Sequence, residues 1–371
     1  MRIGIACYAS VGGSGVLATE LGRKLARRGH EVHIISDGMP FRLSAFQENI
    51  VVHVVDVPSY DVFRYPPFDV ALACKMADVI QNHALDVLHV HYAVPFAACA
   101  FLARAMSPRR PVRTVVTLHG TDISIHAYDL SLTAAIRLGI EKSDAVTAVS
   151  HSLAEETRRA FDIDRPIEVI YNFVDLDHYK RREDAVLRRH LAPNGESLLL
   201  HVSNFRPIKR VTDAVKVFAG VRRTHRARLL MVGDGPELAR ARTDAQALGV
   251  EEDVLFLGKV DDVSALYSIA DVFLLPSETE SFGLAAAEAM ACEAPVVATA
   301  AGGLAEVVAD GETGFLAEVG DVEAMSAYVR RLLDDPDLRA RMGRAGRARV
   351  ARLFSAEARV SQYESLYKQL Q

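Results

Sequence analysis

The chain lacks the paired cysteines that a disulfide framework or a cysteine-based zinc site needs. Its 371 residues include only four cysteines, and none of them forms a CxxC pair. They are Cys7, Cys74, Cys99 and Cys292. Such spacing is typical of buried free thiols in a reducing compartment.

The chain also lacks a surplus of positive charge and any long apolar run. Its 43 basic residues are outnumbered by 48 acidic ones, so no overall basic field favours nucleic acid or an anionic membrane. No stretch reaches the roughly 18 apolar residues of a membrane span. Gly12 and Gly13 interrupt the apolar start too early for a signal peptide. We expect a cytoplasmic protein with neither nucleic-acid nor membrane partners.

What the chain does contain is enough material for two domains, at roughly 150 residues each. Half of its residues are apolar and a quarter are charged, as in ordinary globular proteins. Short β-branched runs alternate with helical patterns, and the alternation restarts at Ser197. Runs such as VLHV and TVVTL are typical of strands covered on both faces. The sequence therefore predicts an α/β protein with two doubly wound parallel-sheet domains.

The predicted strands define the domain limits. They are Ile3–Tyr8, Glu31–Ser36, Val51–Val55, Val87–His91, Val112–Leu118, Ala145–Val149 and Ile167–Tyr171, then Ser197–Val202, Arg228–Val232, Val254–Leu257, Val272–Leu275 and Pro295–Thr299. We place the domains at 1–170 and 171–354, followed by an amphipathic helix at 355–371 that packs back on the first domain. Ligands of such domains bind beyond the carboxyl ends of the strands, so we expect a ligand cleft where those ends face each other.

A glycine-rich loop follows the first predicted strand and opens into a helix. Its glycines let the backbone approach a ligand, and the helix start offers N–H groups to an anion. The stretch from Gly13 to Ala18 also fits the loose dinucleotide pattern G-x-G-x-x-A, with Asp37 as a candidate ribose ligand. Phosphate binding, a nicotinamide-dependent oxidoreductase and a plain tight turn all stay open on this motif alone.

The most informative stretch is LPSETESFGLAAAEAM, which begins at Leu275. A strand ends there, a polar turn follows, and an alanine-rich helix starting at Gly283 presents its positive end to a phosphate. Glu280 lies in the turn and Glu288 about a turn and a half into the helix, where carboxylates can bind sugar and ribose hydroxyls. A glycosidase carboxylate pair would need no phosphate site. The pattern therefore favours a sugar nucleotide, while a glycosidase pair and two surface glutamates beside an ordinary helix cap stay open as alternatives.

Cations for a diphosphate come from the loop HVSNFRPIKRV, after the first strand of the second domain. It carries Arg206, Lys209 and Arg210. A guanidinium and an ammonium can neutralise a departing diphosphate without a metal.

Together these features resemble the retaining glycosyltransferases of family 4, which have two facing Rossmann-like domains, the GT-B fold. The motifs that carry the resemblance are VGGSG, LHGTD at Leu118–Asp122, the Arg206–Lys209 loop, ESFGLAAAE at Glu280–Glu288, AGGLAEVV at Ala301–Val308 and DGETGFL at Asp310–Leu316. Further motifs (CYASVGGSG, PFRL, YPPFD, HVHYAVP, TLHGTDI, YNFVD, SNFRPIKRV and EAMAC) resemble the members that open bacillithiol biosynthesis. Many family members have an arginine five residues before the lysine, where this chain has Asn204.

The resemblance implies transfer of N-acetylglucosamine from UDP-N-acetylglucosamine to the 2-hydroxyl of L-malate, with the α configuration retained. The implied catalytic residues are Glu280, His119, Arg206 and Lys209. The implied donor-binding residues are Gly13, Gly15, Phe282, Gly283, Leu284 and Glu288. The candidate acceptor-binding residues, at strand ends or in the linker, are Ser14, Tyr92, Thr117 and Asn172.

The implied mechanism is a front-face route, in which the departing phosphate accepts the acceptor's proton and His119 orients the sugar. We expect no metal and no cofactor, since His89, His91 and His119 come from different strand ends without a helical i, i+4 pair. A homodimer is a further expectation. The alternatives are another small acceptor such as inositol phosphate, a non-catalytic sugar-nucleotide sensor, and an NAD-dependent oxidoreductase.

Overall fold

Each half of the chain forms an α/β unit around a fully parallel sheet. The computed structural model describes residues 1–9, 13–40, 43, 47–57 and 64–371, with backbone alone at 125–128. The first unit comprises Met1–Asn172 and Arg359–Gln371, and the second comprises Phe173–Ala358. Among the described helices, none combines the length and apolarity that crossing a bilayer requires.

The described residues of the first unit form seven strands and six α-helices before the chain enters the second. The strands are β1 (Arg2–Ala6), β2 (Glu31–Ser36), β3 (Ile50–Val54), β4 (Val87–His91), β5 (Arg113–Leu118), β6 (Ala145–Ala148) and β7 (Glu168–Val169). The helices are α1 (Gly13–Arg27), α2 (Phe68–His83), α3 (Ala98–Met106), α4 (Thr121–Tyr128), α5 (Thr133–Lys142) and α6 (His151–Phe161).

The second unit repeats this organisation. Its strands are β8 (Ser197–Val202), β9 (Ala227–Val232), β10 (Val254–Gly258), β11 (Val272–Leu275), β12 (Val296–Thr299) and β13 (Gly314–Ala317). Its helices are α7 (Ala185–Leu191), α8 (Val211–Arg222), α9 (Leu238–Ala247), α10 (Ser264–Ile269), α11 (Leu284–Ala291), α12 (Leu304–Val307), α13 (Val322–Asp334) and α14 (Pro336–Leu353). A final helix, α15 (Ala356–Leu370), carries the chain back into the first unit.

Both sheets have the doubly wound order. The first sheet runs β3-β2-β1-β4-β5-β6-β7 and the second runs β10-β9-β8-β11-β12-β13. Every neighbouring pair is parallel. Of the central strands, β4 is buried along its whole length and β5 is buried except at Arg113, because helices cover both faces of the sheet. This is why VLHV and TVVTL are mostly apolar and show no alternation with charged residues. The predicted α/β class with two doubly wound sheets is confirmed.

All twelve predicted strands are present, with ends displaced by a few residues at most. One strand was missed. β13, with the sequence GFLA, has only four residues and follows the turn-rich stretch DGET, so it carries too short a pattern to stand out. The predicted C-terminal amphipathic helix is α15, and its Tyr363 and Tyr367 are buried in the first unit.

Candidate active site

Both sheets have a topological switch point, where the chain connections from two neighbouring strands lead towards opposite edges of the sheet. It lies between β1 and β4 in the first unit and between β8 and β11 in the second. Ligands of doubly wound folds bind at the carboxyl ends of these strands. The residues that follow those strands include most of the side chains singled out in the sequence.

In the second unit, the loops after β8 and β11 meet through an ion pair. Lys209 Nζ donates to Glu280 Oε1 at 2.6 Å, and the two side chains are only 18% and 11% exposed. Ser277 Oγ donates to the same carboxylate oxygen at 2.9 Å. The backbone N–H of Glu278 also donates to the carbonyl of Ile208 at 2.8 Å. The structure thus brings together two residues that are 71 positions apart in the sequence.

Two glycines that sequence reasoning did not single out hold the Glu280 turn from the other side. Gly303 N–H donates to Glu280 O at 2.8 Å. A Cβ on Gly302 would lie 2.3 Å from Glu280 O, and one on Gly303 would lie 2.4 Å from Ser281 O. Gly302 also has φ +55°, which disfavours side chains. The available signal was the GG pair in AGGLAEVV, which marks a close approach of two backbones.

Helix α11 begins directly after this turn. Gly283 is its N-cap with φ +91°, and no side chain caps the helix start. Its first N–H groups are therefore available to an anion, together with the positive end of the helix dipole. Phe282 is buried and packs edge-on against Phe354 with ring centroids 5.2 Å apart, which anchors the turn. Leu284 is the first helical residue.

Glu288 lies on the second turn of α11 and is partly buried. Tyr267 donates its hydroxyl to Glu288 Oε2 at 3.2 Å. Burial, followed by the negative charge of Glu288, raises the pKa of Tyr267 well above its usual value, so the phenol stays a donor. Sequence reasoning missed Tyr267, since nothing in the α10 pattern distinguishes it from a core aromatic.

The basic residues of the loop after β8 differ in their partners. Arg206 is exposed, and within the described residues its side chain has no ion pair or hydrogen bond. Arg210, by contrast, is bound to Asp213, with Nε 2.7 Å from Oδ2. Lys209 thus contacts Glu280, Arg206 lies three residues before it in the same loop, and Arg210 serves the start of α8. Diphosphate binding by Arg206 and Lys209 stays a prediction.

The loop after β8 has a second support that the sequence did not reveal. A Cβ on Gly233 would lie 1.8 Å from Ser203 O, and one on Gly235 would lie 2.2 Å from Asn204 O. His201 donates through Nδ1 to Leu274 O at 2.9 Å, and its Nε2 lies 2.8 Å from Ser203 Oγ. Burial lowers the pKa of His201 to about 4, so this ring is neutral.

In the first unit, the residues that follow β1 and β4 meet through hydroxyl groups. The hydroxyls of Ser14 and Tyr92 are hydrogen-bonded, and the Tyr92 ring lies 5.3 Å from the His119 ring. Burial raises the pKa of Tyr92. Gly13 is the exposed first residue of α1 and Gly15 is buried two positions later. Gly12 and Arg42, in the motifs VGGSG and PFRL, lie outside the described residues.

Next to these hydroxyls lies a column of three histidines, of which His89 and His91 are buried and His119 is partly buried. His91 Nδ1 is 2.8 Å from His119 Nε2, and the His89 and His91 rings stack at 4.6 Å. His89 contacts Tyr367 through Nδ1 and Thr117 through Nε2, both at 2.7 Å. Burial lowers the pKa of His89 and of His119 to about 3, so both rings are neutral at pH 7.

Thr117 and Asn172 occupy different environments. Thr117 is buried, and its hydroxyl contacts Thr147 Oγ1 at 2.6 Å and Tyr363 OH at 3.3 Å as well as His89. The Thr117 hydroxyl therefore has three polar contacts within the first unit, and its contact with the acceptor stays a prediction. Asn172 is half-buried at the end of the first unit.

A buried carboxyl completes the polar cluster of the first unit. Asp122 Oδ1 accepts the N–H groups of Ala93 and Val94 at 3.0 and 3.1 Å, which holds the turn after Tyr92. Burial raises the pKa of Asp122 to about 6, against the opposing effect of these hydrogen bonds. Asp122 therefore shapes the loop instead of facing a ligand.

Asp37, the candidate ribose ligand of a nicotinamide cofactor, forms hydrogen bonds within the first unit. Its Oδ1 accepts the backbone N–H of Ala9 at 2.7 Å and also lies 3.3 Å from Ser36 Oγ. This geometry does not favour the dinucleotide interpretation of the first glycine motif.

Two sequence profiles match the chain. Residues 11–178 match Glycosyltransferase Family 4, and residues 183–349 match Glycosyl transferases group 1. Among characterised relatives, N-acetyl-alpha-D-glucosaminyl L-malate synthase of Bacillus anthracis is 49% identical over 99% of this chain and 96% of its own length. A D-inositol 3-phosphate glycosyltransferase of Acidothermus cellulolyticus is 30% identical over 92% of this chain and 82% of its own.

Solved structures show the same fold at lower identity. The Anabaena protein HepE in complex with UDP-glucose superimposes with a TM-score of 0.84 and 22% identity, over 99% of this chain and all of that one. Sucrose-phosphate synthase of Thermosynechococcus elongatus gives 0.83 and 23%, over 100% of this chain and 98% of that one. At this identity the similarity concerns the fold.

Proposed function

The chain belongs to glycosyltransferase family 4, and from that premise we propose that it transfers N-acetylglucosamine from UDP-N-acetylglucosamine to the 2-hydroxyl of L-malate. The products are UDP and the α-linked sugar malate, the first intermediate of bacillithiol biosynthesis. The Lys209–Glu280 pair beside the uncapped start of α11 is the observation that carries the donor half. The choice of malate rests on the similarity to the malate synthase over nearly the whole chain.

The second unit holds the donor. Lys209 has three N–H bonds, and donation to Glu280 leaves two for diphosphate oxygens. Arg206 adds a guanidinium that the described residues do not engage, and the amides from Phe282 to Leu284 add the dipole of α11. These groups stabilise the negative charge that grows on UDP as the glycosidic bond breaks.

The two carboxylates bind hydroxyl groups. Glu280 lies at the turn, where its free oxygen accepts hydrogen bonds from the donor sugar. Glu288, oriented by Tyr267, accepts from the ribose. Because Glu280 already accepts from Lys209 and Ser277, it is a poor nucleophile for a covalent intermediate. This supports the front-face route, in which the departing phosphate takes the proton of the malate hydroxyl.

The first unit holds the acceptor. Ser14 and Tyr92 form a hydroxyl pair at the switch point, next to the neutral ring of His119. With its pKa lowered to about 3, His119 carries no charge at pH 7 and orients the sugar by hydrogen bonding. Gly13, Gly15 and Asn172 supply close backbone approach and an amide. Thr117 acts from behind, as a positioning residue for His89.

The test is a UDP-release assay on the purified protein with UDP-N-acetylglucosamine. L-malate should give turnover, whereas D-malate, glucose and inositol phosphate should give little above the acceptor-free rate. Activity should persist in excess EDTA, since no step uses a metal. Release with inositol phosphate but not malate would reassign the acceptor. Thermal stabilisation by NADH and not by UDP would reject the transferase proposal altogether.

A further inference from the structure

Three histidines at the edge of the first sheet come together outside the proposed active site. In β2 and β3, Ile35 pairs with His53 and His33 pairs with Val51, so the two histidines are diagonal neighbours on one face. His83 is the last residue of α2, and its ring centroid lies 4.3 Å from that of His33 and 5.1 Å from that of His53. One ring nitrogen from each of the three lies within 4.8 Å of the other two.

The hydrogen bonds around His33 set its tautomer. Its Nε2 lies 3.1 Å from Glu31 Oε1, and a carboxylate only accepts, so Nε2 carries the proton. The lone pair of Nδ1 then points at His53 Nε2, 3.0 Å away. Two imidazole nitrogens on a tetrahedral zinc ion, each about 2.1 Å from the metal, would be about 3.4 Å apart. The pair is therefore already close to ligand spacing.

Two of the three histidines, His33 and His53, lie where burial disfavours the charged ring. His33 is fully buried, whereas His53 and His83 are half-buried and reach solvent. Burial, followed by the neighbouring histidines, lowers the pKa of His53 to about 4 and also lowers that of His33. The surrounding charges are Arg2, Lys75, Glu31 and Asp78, two of each sign.

We propose that His33, His53 and His83 form a binding site for a divalent transition-metal ion of the zinc class. Imidazole nitrogens suit such ions and do not suit magnesium or calcium. Glu31 is the carboxylate that orients a ligating histidine through its other ring nitrogen. Because the ligands come from β2, β3 and α2, a bound ion ties the edge strand to the helix that covers it. The site is independent of the proposed transfer reaction.

The experiment is a titration of the EDTA-stripped protein with Co²⁺, read as visible d–d absorption, followed by displacement with Zn²⁺. The expected result is one ion per chain. His53→Gln and His83→Gln should each weaken binding by at least about tenfold, and Glu31→Gln by about 10- to 100-fold. His225→Gln is the matched control, since His225 is a half-buried histidine of the second unit whose ring contacts Thr224 and Asp334, and it should bind as the parent does.

Absence of a stoichiometric Co²⁺ spectrum, or one that survives both His53→Gln and His83→Gln, overturns the proposal and leaves a stack of neutral imidazoles. Both substitutions are at half-buried positions, which limits damage to folding. A second measurement uses the parent protein alone and needs no substitution. Zn²⁺ should slow amide hydrogen exchange across Ile50–Val54 and the last turn of α2 in the parent protein, and unchanged exchange there would count against the site.

Discussion

The two units place different chemistry on the same strand order. At the switch point of the second unit lie charged side chains and an uncapped helix start, with Lys209 and Glu280 paired at 2.6 Å. The switch point of the first unit instead has hydroxyl groups and neutral histidines, and burial lowers the pKa of His119 to about 3. The scaffold therefore determines where a ligand binds, and the residues after the strands determine its chemistry.

This difference matches the two halves of the proposed reaction. A diphosphate carries charge that increases as it leaves, so its site needs cations and a helix dipole. The reacting group of malate is a hydroxyl, which hydrogen bonds must position while it stays close to neutral. Buried histidines supply such hydrogen bonds, at the cost of making the first unit sensitive to acid.

The largest effect should come from the ion pair. Glu280→Gln keeps the shape of the side chain but removes the charge that holds Lys209 and the sugar hydroxyls. We expect kcat to fall by about 10²- to 10³-fold in the UDP-release assay, as when one preorganised electrostatic contact is lost. Glu278→Gln, two residues earlier and exposed, is the control and should retain the parent rate. A near-normal rate for Glu280→Gln would contradict its role.

The backbone under Glu280 should matter almost as much. Gly302→Ala places a Cβ 2.3 Å from Glu280 O at a residue with φ +55°, so the turn must move. A shift of about 1 Å can cost about 10²-fold in rate. Gly311→Ala is the matched control, because its φ is +74° but no atom lies within 4 Å of the added Cβ. Both should lose about 1–2 kcal/mol of stability from the left-handed conformation, but only Gly302→Ala should lose activity.

The neutral histidines give the first unit a steeper acid dependence. Among the described residues, the histidines with lowered pKa values are His33, His53, His89, His91 and His119 in the first unit, against His201 in the second. Stability from each is complete above the unfolded pKa of about 6.5 and is lost as the pH falls towards the native value. Asp122 acts in the opposite direction, since its pKa is raised to about 6 and protonation restores stability, which offsets about one histidine.

Amide exchange followed by mass spectrometry from pH 6 to pH 5, in EDTA, checks this comparison. We expect protection in β4 and β5 to fall by at least about tenfold more per pH unit than protection in β8 and β9, because each additional proton taken up on unfolding corresponds to one decade. Equal slopes for the two units would mean that the histidine column is already charged or solvated.

The smallest effect should come from the partner of Glu288. Tyr267→Phe removes one hydrogen bond of 3.2 Å and leaves the carboxylate in place. We expect KM for the donor to rise several-fold, consistent with about 1 kcal/mol for one hydrogen bond, with little change in kcat. Tyr328→Phe, a tyrosine of α13 that stacks on Phe315, is the control. A tenfold fall in kcat with unchanged KM would place Tyr267 in the chemical step instead.

The sequence by itself determined which segments form strands and where the donor-binding motif lies. Its alternation of apolar runs and helical patterns was sufficient to predict twelve of the thirteen strands that the described residues form, because strands buried on both faces are short runs of mostly apolar residues. The glutamate spacing around Gly283 was likewise readable, since a turn and a helix start are local features. These predictions depend only on residues close together in the sequence, so they do not require knowledge of which distant residues are in contact.

Only the tertiary structure decided which distant groups meet. The Lys209–Glu280 pair, the support of Gly302 under Glu280, and the approach of His53 and His83 to His33 all depend on strand register or on loops far apart in the chain. Burial, too, is a tertiary property. Burial places the Thr117 hydroxyl among protein partners and lowers the pKa of His89, so that this ring is neutral. Desolvation depends on what packs around a side chain, and it therefore leaves no pattern in the sequence.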